Sequence, residues 1–111
     1  MSINISIFYK GKNNSASEFV REMIECGAVR KIRAEEGNLR YEYFTSVEDP
    51  ETVLLLDSWR DQASLDIHHA SPMMKTISDL REKYQLTMKV ERSLSDEEGI
   101  PLNDRRFIKE R

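Results

Sequence analysis

Cysteine is nearly absent: Cys26 stands alone among 111 residues. An internal disulfide is therefore excluded, which fits a reducing cytoplasm. Cys26 itself reads as a small residue on a helix rather than a nucleophile. No apolar run approaches about 20 residues, so no membrane-spanning helix is expected. The first residues, MSINISIFYKGK, carry no basic segment before their apolar positions and do not read as a signal peptide. Charge of one sign is also lacking. The 17 basic and 20 acidic residues are interspersed, net −3, with no basic stripe to suit nucleic acid. There is no glycine-rich phosphate loop, nucleotide fingerprint or Ser-His-Asp spacing. Histidine is scarce too. His68 and His69 are adjacent, about 100° apart on a helix, and no cysteine or carboxylate cluster completes a metal site.

What is present is one modest domain with 39% apolar residues. Ile3, Ile5, Ile7 and Tyr9 alternate with Asn4, Ser6 and Phe8, the period of a strand. Gly11, Asn13 and Asn14 end it. Ser15 and Glu18 have capping-box spacing at the start of a helix. Phe19, Val20, Met23, Ile24 and Gly27 share one side of that helix. Its expected course runs through Ala28 and Ile32 to a cap at Gly37, the alternative being a break at Gly27. Leu39 to Thr45 alternates as a second strand, SVEDPE is a hairpin connection, and Thr52 to Trp59 is a third strand. Val53, Leu54, Leu55 and Leu56 make that strand apolar on both faces, so one face should meet helices and the other a second copy of the chain. Arg60-Asp61-Gln62 opens a short helix with Ala63, Leu65 and Ile67. Pro72 starts the next, striped by Met73, Ile77, Leu80 and Tyr84. Leu86, Met88 and Val90 alternate as a fourth strand. Residues 94 to 111 are mostly polar, with isolated Ile100, Leu102, Phe107 and Ile108. They are expected to lie on the domain or a partner subunit, or to stay partly disordered. The order strand, helix, strand, strand, helix, strand predicts an α+β, ferredoxin-like βαββαβ fold with a four-stranded antiparallel sheet.

The chemistry concentrates between Leu54 and Tyr84. One histidine in a pocket can move protons near neutral pH; the bland alternative is that one caps the kink before Pro72 while the other is solvated. Trp59 and Met73 read as core residues able to wall a pocket. Asn4 needs partners if buried. Asp57, acidic within an apolar strand, is expected to pair with Arg40, Arg92 or Lys89.

Three words of the sequence stand in a telling order: Glu35-Glu36-Gly37-Asn38-Leu39-Arg40-Tyr41, Trp59-Arg60-Asp61, and His68-x-x-Ser71-Pro72. Together they resemble the antibiotic biosynthesis monooxygenase (ABM) domain family over residues 3 to 93. The resemblance implies a domain at 1–93 with a tail at 94–111. It implies a homodimer, a dimeric α+β barrel with facing sheets and a pocket between sheet and helices. It implies a monooxygenase that uses no metal or flavin cofactor and oxidises a small quinol-like or polyphenolic molecule with O2. In that reading His68 is the general base and Asn4 holds an oxyanion or peroxide. Trp59, Phe8, Phe44 and Met73 enclose the substrate. The family's haem branch has a ligating histidine where this chain reads Ile77-Ser78-Asp79, so haem is not expected. His69 receives no role. The alternatives are a non-oxidative isomerase of a small carbonyl compound, of the kind that processes phosphorylated autoinducer-2, and a non-catalytic dimeric binding or stress protein.

Overall fold

A computed structural model describes all residues 1–111. Strand β1 (Ile3–Lys10) is followed by helices α1 (Ser15–Glu25) and α2 (Ala28–Arg33). The hairpin β2 (Asn38–Thr45) and β3 (Thr52–Trp59) comes next, then α3 (Gln62–His69), α4 (Met73–Lys83) and β4 (Thr87–Leu94). The sheet order is β2-β3-β1-β4, with each neighbouring pair antiparallel. This is the ferredoxin-like α+β architecture that the element order predicts. A short α5 (Leu102–Arg105) follows in the tail. The tail is tied to the start of the chain: Ser95 N–H donates to Ser2 O, and the Met1 ammonium pairs with Glu97 at 2.9 Å.

One face of the sheet carries the core. Ile3, Ile7 and Tyr9 of β1, Tyr41 of β2, and Leu55 and Trp59 of β3 meet Phe19, Met23, Ile32, Leu65, Ile77 and Leu80 from the helices. The period of two in the strands and the helical spacing of Met73, Ile77, Leu80 and Tyr84 produce this layer directly. The other face presents Asn4, Ser6 and Phe8, in register with Ser58, Leu56 and Leu54. No element of the chain covers it. Leu54 and Leu56 stay half-buried and Phe44 is exposed there, while every residue of β4 is exposed.

Several local expectations are corrected. The long first helix breaks at Gly27, whose φ of 85° permits the turn between α1 and α2. The capping box does not form, because Ser15 lies one position inside the helix; its hydroxyl accepts from Lys12 N–H instead. Ile24 and Ile67, assigned to apolar faces, are 57% and 70% exposed, since the helices turn other residues inward. Cys26 caps the end of α1 and is exposed. No helix is long and apolar enough to cross a membrane.

Candidate active site

The site begins with how β3 runs into α3. Val53, Leu55, Asp57 and Trp59 alternate inward along β3, so the strand carries a carboxyl group where a strand core normally has an aliphatic side chain. Trp59 closes the core with no exposed surface. Asp61 then caps α3, its carboxylate accepting from Ser64 N–H at 2.8 Å, an arrangement worth about 1 kcal/mol. That start sets the helix phase: Ser64, Leu65 and His68 face inward, while His69 turns out.

A second segment comes in from the end of α2. Gly37 has a φ of 85°, and a Cβ there would lie 2.1 Å from Ser64 Oγ. Only glycine allows the turn at residues 35–37 to press this close to α3. Gly37 O accepts from Arg60 N–H at 2.8 Å, which pins the two segments together. Glu35 is thereby delivered to His68, with Oε2 at 2.8 Å from Nδ1. The imidazole stacks on Trp59 at 4.6 Å and 28°. With the carboxylate accepting the Nδ1 proton, the lone pair falls on Nε2. Burial holds the His68 pKa below its ordinary 6.5; Glu35 opposes this, and His69 and Arg81 add to it. His68 is therefore a neutral, oriented base at pH 7.

His68 opens on a cavity of about 220 Å³ between the sheet and helices α3 and α4. The strands contribute Ile5, Ile7, Tyr41, Leu55 and Asp57; α4 contributes Ile77 and Arg81; His69, Met88 and Val90 complete the wall. Arg81 is the one cation on this wall, and its Nε and Nη2 donate to Tyr9 OH at 2.9 and 2.7 Å. Burial raises the Tyr9 pKa, with Arg81 pulling the other way. Burial likewise pushes the Asp57 carboxyl up to about 7; Trp59 and Arg81 restrain it while Glu35 adds to it. The restraint from Trp59 stops short of a hydrogen bond, for Trp59 Nε1 and Asp57 Oδ1 are both buried without a partner. A larger groove of about 660 Å³ runs past Lys10, Lys12 and Lys83, but it holds no histidine or carboxylate. No group of three side chains suited to hold a metal ion is present.

The six residues expected from sequence do not share one place. His68 lines the cavity and Trp59 stands behind it. Met73 packs against the core without lining the cavity. Asn4, Phe8 and Phe44 lie on the opposite face of the sheet, because even-numbered positions of β1 and β2 point away from the helices there. Asn4 Oδ1 accepts from Ser58 Oγ at 2.8 Å, and Asn4 Nδ2 donates to Ser95 Oγ. The pairing of Asn4 with His68 over one substrate is thus corrected: a sheet separates them. Asp57 is also corrected, since it has no ion pair. Arg40 pairs with Glu42, Lys89 with Glu91, and Arg92 donates to Gln62 Oε1. Arg40 and Lys89 occupy the far face, and β1 lies between Arg92 and β3. Glu35, Arg81 and Tyr9 were missed as site residues. The one signal available was Glu35 at the head of the first conspicuous word.

The model of the antibiotic biosynthesis monooxygenase family matches residues 2–80. The chain belongs to that family. YcnE of Bacillus subtilis (strain 168), named as a monooxygenase candidate, is 33% identical over 67 residues, 60% of this chain and 68% of that protein. Among solved structures, an ABM monooxygenase candidate from Deinococcus radiodurans superposes with a TM-score of 0.72 at 19% identity, over 92% of this chain and 98% of its own. SnoaB, a cofactor-independent oxygenase from Streptomyces nogalater, gives 0.71 at 12% identity, over 85% and 92%. At these identities the two structures establish the fold. Within this ABM domain, the words that carry the family likeness have visible physical work: Glu35 orients His68, Gly37 permits the close approach, Asp61 caps α3, and Pro72 starts α4.

The Glu35–His68 contact makes one prediction. Glu35→Gln keeps an acceptor for Nδ1–H but removes the charge that raises the His68 pKa. The acid limb of the pH–rate profile should move to lower pH, and the plateau should fall by about tenfold as the base weakens. Steady-state rates from pH 4 to 9 check this; a profile that does not move would assign Glu35 to folding alone.

Proposed function

We propose that this ABM protein is a monooxygenase needing no metal or flavin, acting with O2 on a small quinol-like or polyphenolic molecule. The observation that carries the reading is the buried, neutral His68, oriented by Glu35 and opening on a mostly apolar cavity. His68 Nε2 removes a hydroxyl proton, and the Arg81 guanidinium stabilises the oxyanion from the same wall. The anion gives one electron to O2, the radical pair joins into a ring peroxide, and protonated His68 returns its proton to give the hydroperoxide. Loss of the proton on that carbon with departure of water leaves a carbonyl. Substrate and O2 thus become an oxygenated product and one water, the substrate supplying every electron. The family model and YcnE support the monooxygenase class. The quinol class rests on the cavity's apolar walls and on the need for an acidic, electron-rich hydroxyl compound. The test is oxygen uptake by metal-stripped protein across reduced quinols and anthrones. No protein-dependent uptake with any of them would sink the oxygenase.

The isomerase reading is favoured by one specific observation: the buried Asp57 carboxyl, pushed up to about 7 by burial, lines the same cavity as His68. Two proton-carrying groups suit an enolisation and reprotonation. That reaction consumes no oxygen, so the same electrode distinguishes the two.

The proposal includes a homodimer formed through the uncovered sheet face. Phe8, Phe44, Leu54 and Leu56 supply its apolar centre, and Asn4 with Ser58 its hydrogen-bonding end. The tail from residue 94, whose Leu102 and Phe107 are 82% and 78% exposed, would then lie against the partner. Leu54→Glu should convert dimer to monomer in analytical ultracentrifugation while leaving the fold intact by circular dichroism, because a charge in an apolar interface is left unpaired. An unchanged sedimentation coefficient would place the interface elsewhere.

A further inference from the structure

Asp57 has no part in the oxygenation steps proposed above. It is 6% exposed, lines the cavity, forms no ion pair, and leaves Oδ1 without a hydrogen bond. Unpartnered buried polar atoms are rare enough in folded proteins to require a reason. The one nearby cation on the cavity wall, Arg81, spends two donors on Tyr9 OH and does not bridge to it. A valine or leucine at this position would continue the pattern of Val53 and Leu55. The carboxyl is therefore placed against stability, on the strand wall of a cavity that also presents His68 from a helix.

We propose that Asp57 is a specificity-determining residue that binds a second oxygen function of the substrate. The ligand is then a small molecule with two hydroxyl or carbonyl oxygens across an apolar body, one met by His68 Nε2 and the other by the Asp57 carboxyl. A cavity of about 220 Å³ falls below the range of about 300–1,000 Å³ typical of sites for drug-sized ligands. It suits a single ring better than a fused polycycle. Ile5, Ile7, Leu55 and Ile77 supply the apolar body's contacts. The protonated carboxyl donates to a carbonyl oxygen; either form accepts from a hydroxyl. This deepens the proposed function and rests on its choice of cavity, though not on oxygen chemistry.

The test is anaerobic titration calorimetry of the full-length protein with hydroquinone and with 4-methylphenol, a ligand of similar size that lacks the second oxygen. Wild type should bind hydroquinone about tenfold more tightly. Asp57→Leu should abolish that preference while leaving 4-methylphenol affinity within about twofold. Asp57→Asn, which keeps the shape and hydrogen bonding, should retain an intermediate preference. If Asp57 serves only to hold Trp59, the variants will shift the emission of this sole tryptophan and leave the preference intact, which overturns the proposal. Equal affinities in wild type, or no saturable binding of either compound, also overturn it. A preference that depends on Asp57 in a protein that consumes no oxygen would support this inference and remove the oxygenase instead.

Discussion

His68→Ala should lower oxygen uptake with a productive quinol by about 10²–10⁴-fold, the range expected when a positioned general base is removed. The loss should fall on kcat more than on KM, because the imidazole contributes to proton removal and little to apolar contact. Alanine also leaves space beside Trp59 and frees Glu35 from its partner. His68→Gln fills more of that space without a basic nitrogen, so both variants should show the same large loss of rate while the glutamine variant melts closer to wild type. Because burial lowers the His68 pKa below 6.5, the wild-type rate should rise through a pH below that value and then level. Turnover near wild type in both variants would remove His68 from the chemistry.

The second large effect concerns stability. Asp57 has an ordinary pKa of 3.8 and is raised to about 7 by burial. Its carboxyl therefore favours the fold fully below pH 3.8, and that contribution is lost as pH rises through about 7. Each pH unit in that window is worth about 1.4 kcal/mol, so the two limits differ by roughly 4 kcal/mol. Asp57→Asn removes the titration and keeps the shape. In urea unfolding, the variant should gain on wild type by roughly 3 kcal/mol more at pH 8 than at pH 5. His68 acts in the opposite sense: its folded pKa is depressed, so its contribution is present above pH 6.5 and lost as pH falls. Comparing variant with wild type at each pH cancels that common term. A difference independent of pH would mean that Asp57 is already neutralised or solvated. Higher stability with altered ligand binding in the same variant would mark a carboxyl retained for function.

Much of the scaffold could be read from periodicity. β3 was expected at Thr52–Trp59 and is found there, because alternating apolar residues bounded by turn residues leave few other registers. The helical stripe Met73, Ile77, Leu80, Tyr84 was equally direct. The break at Gly27 was harder. A glycine inside an apolar pattern costs about 1 kcal/mol in a helix and does not say whether the helix absorbs that cost or ends. The exposed Ile24 and Ile67 show the same limit, since apolar spacing defines a face but not which flank of it meets the core.

The candidate site divides along that line. Sequence alone determined the element order, the fold class and His68 as the residue to watch, because these depend on local pattern and on a scarce residue type. Tertiary structure alone decided which partners His68 has. Glu35 lies 33 positions away and reaches Nδ1 only through the close approach at Gly37. It also decided that Asn4, Phe8 and Phe44 stand across the sheet from the cavity, and that Asp57 stands within it unpaired. The physical reason is that strand alternation says two residues share a face without saying which face the helices will cover. Helix packing makes that choice, and with it the choice of which polar side chains are buried together.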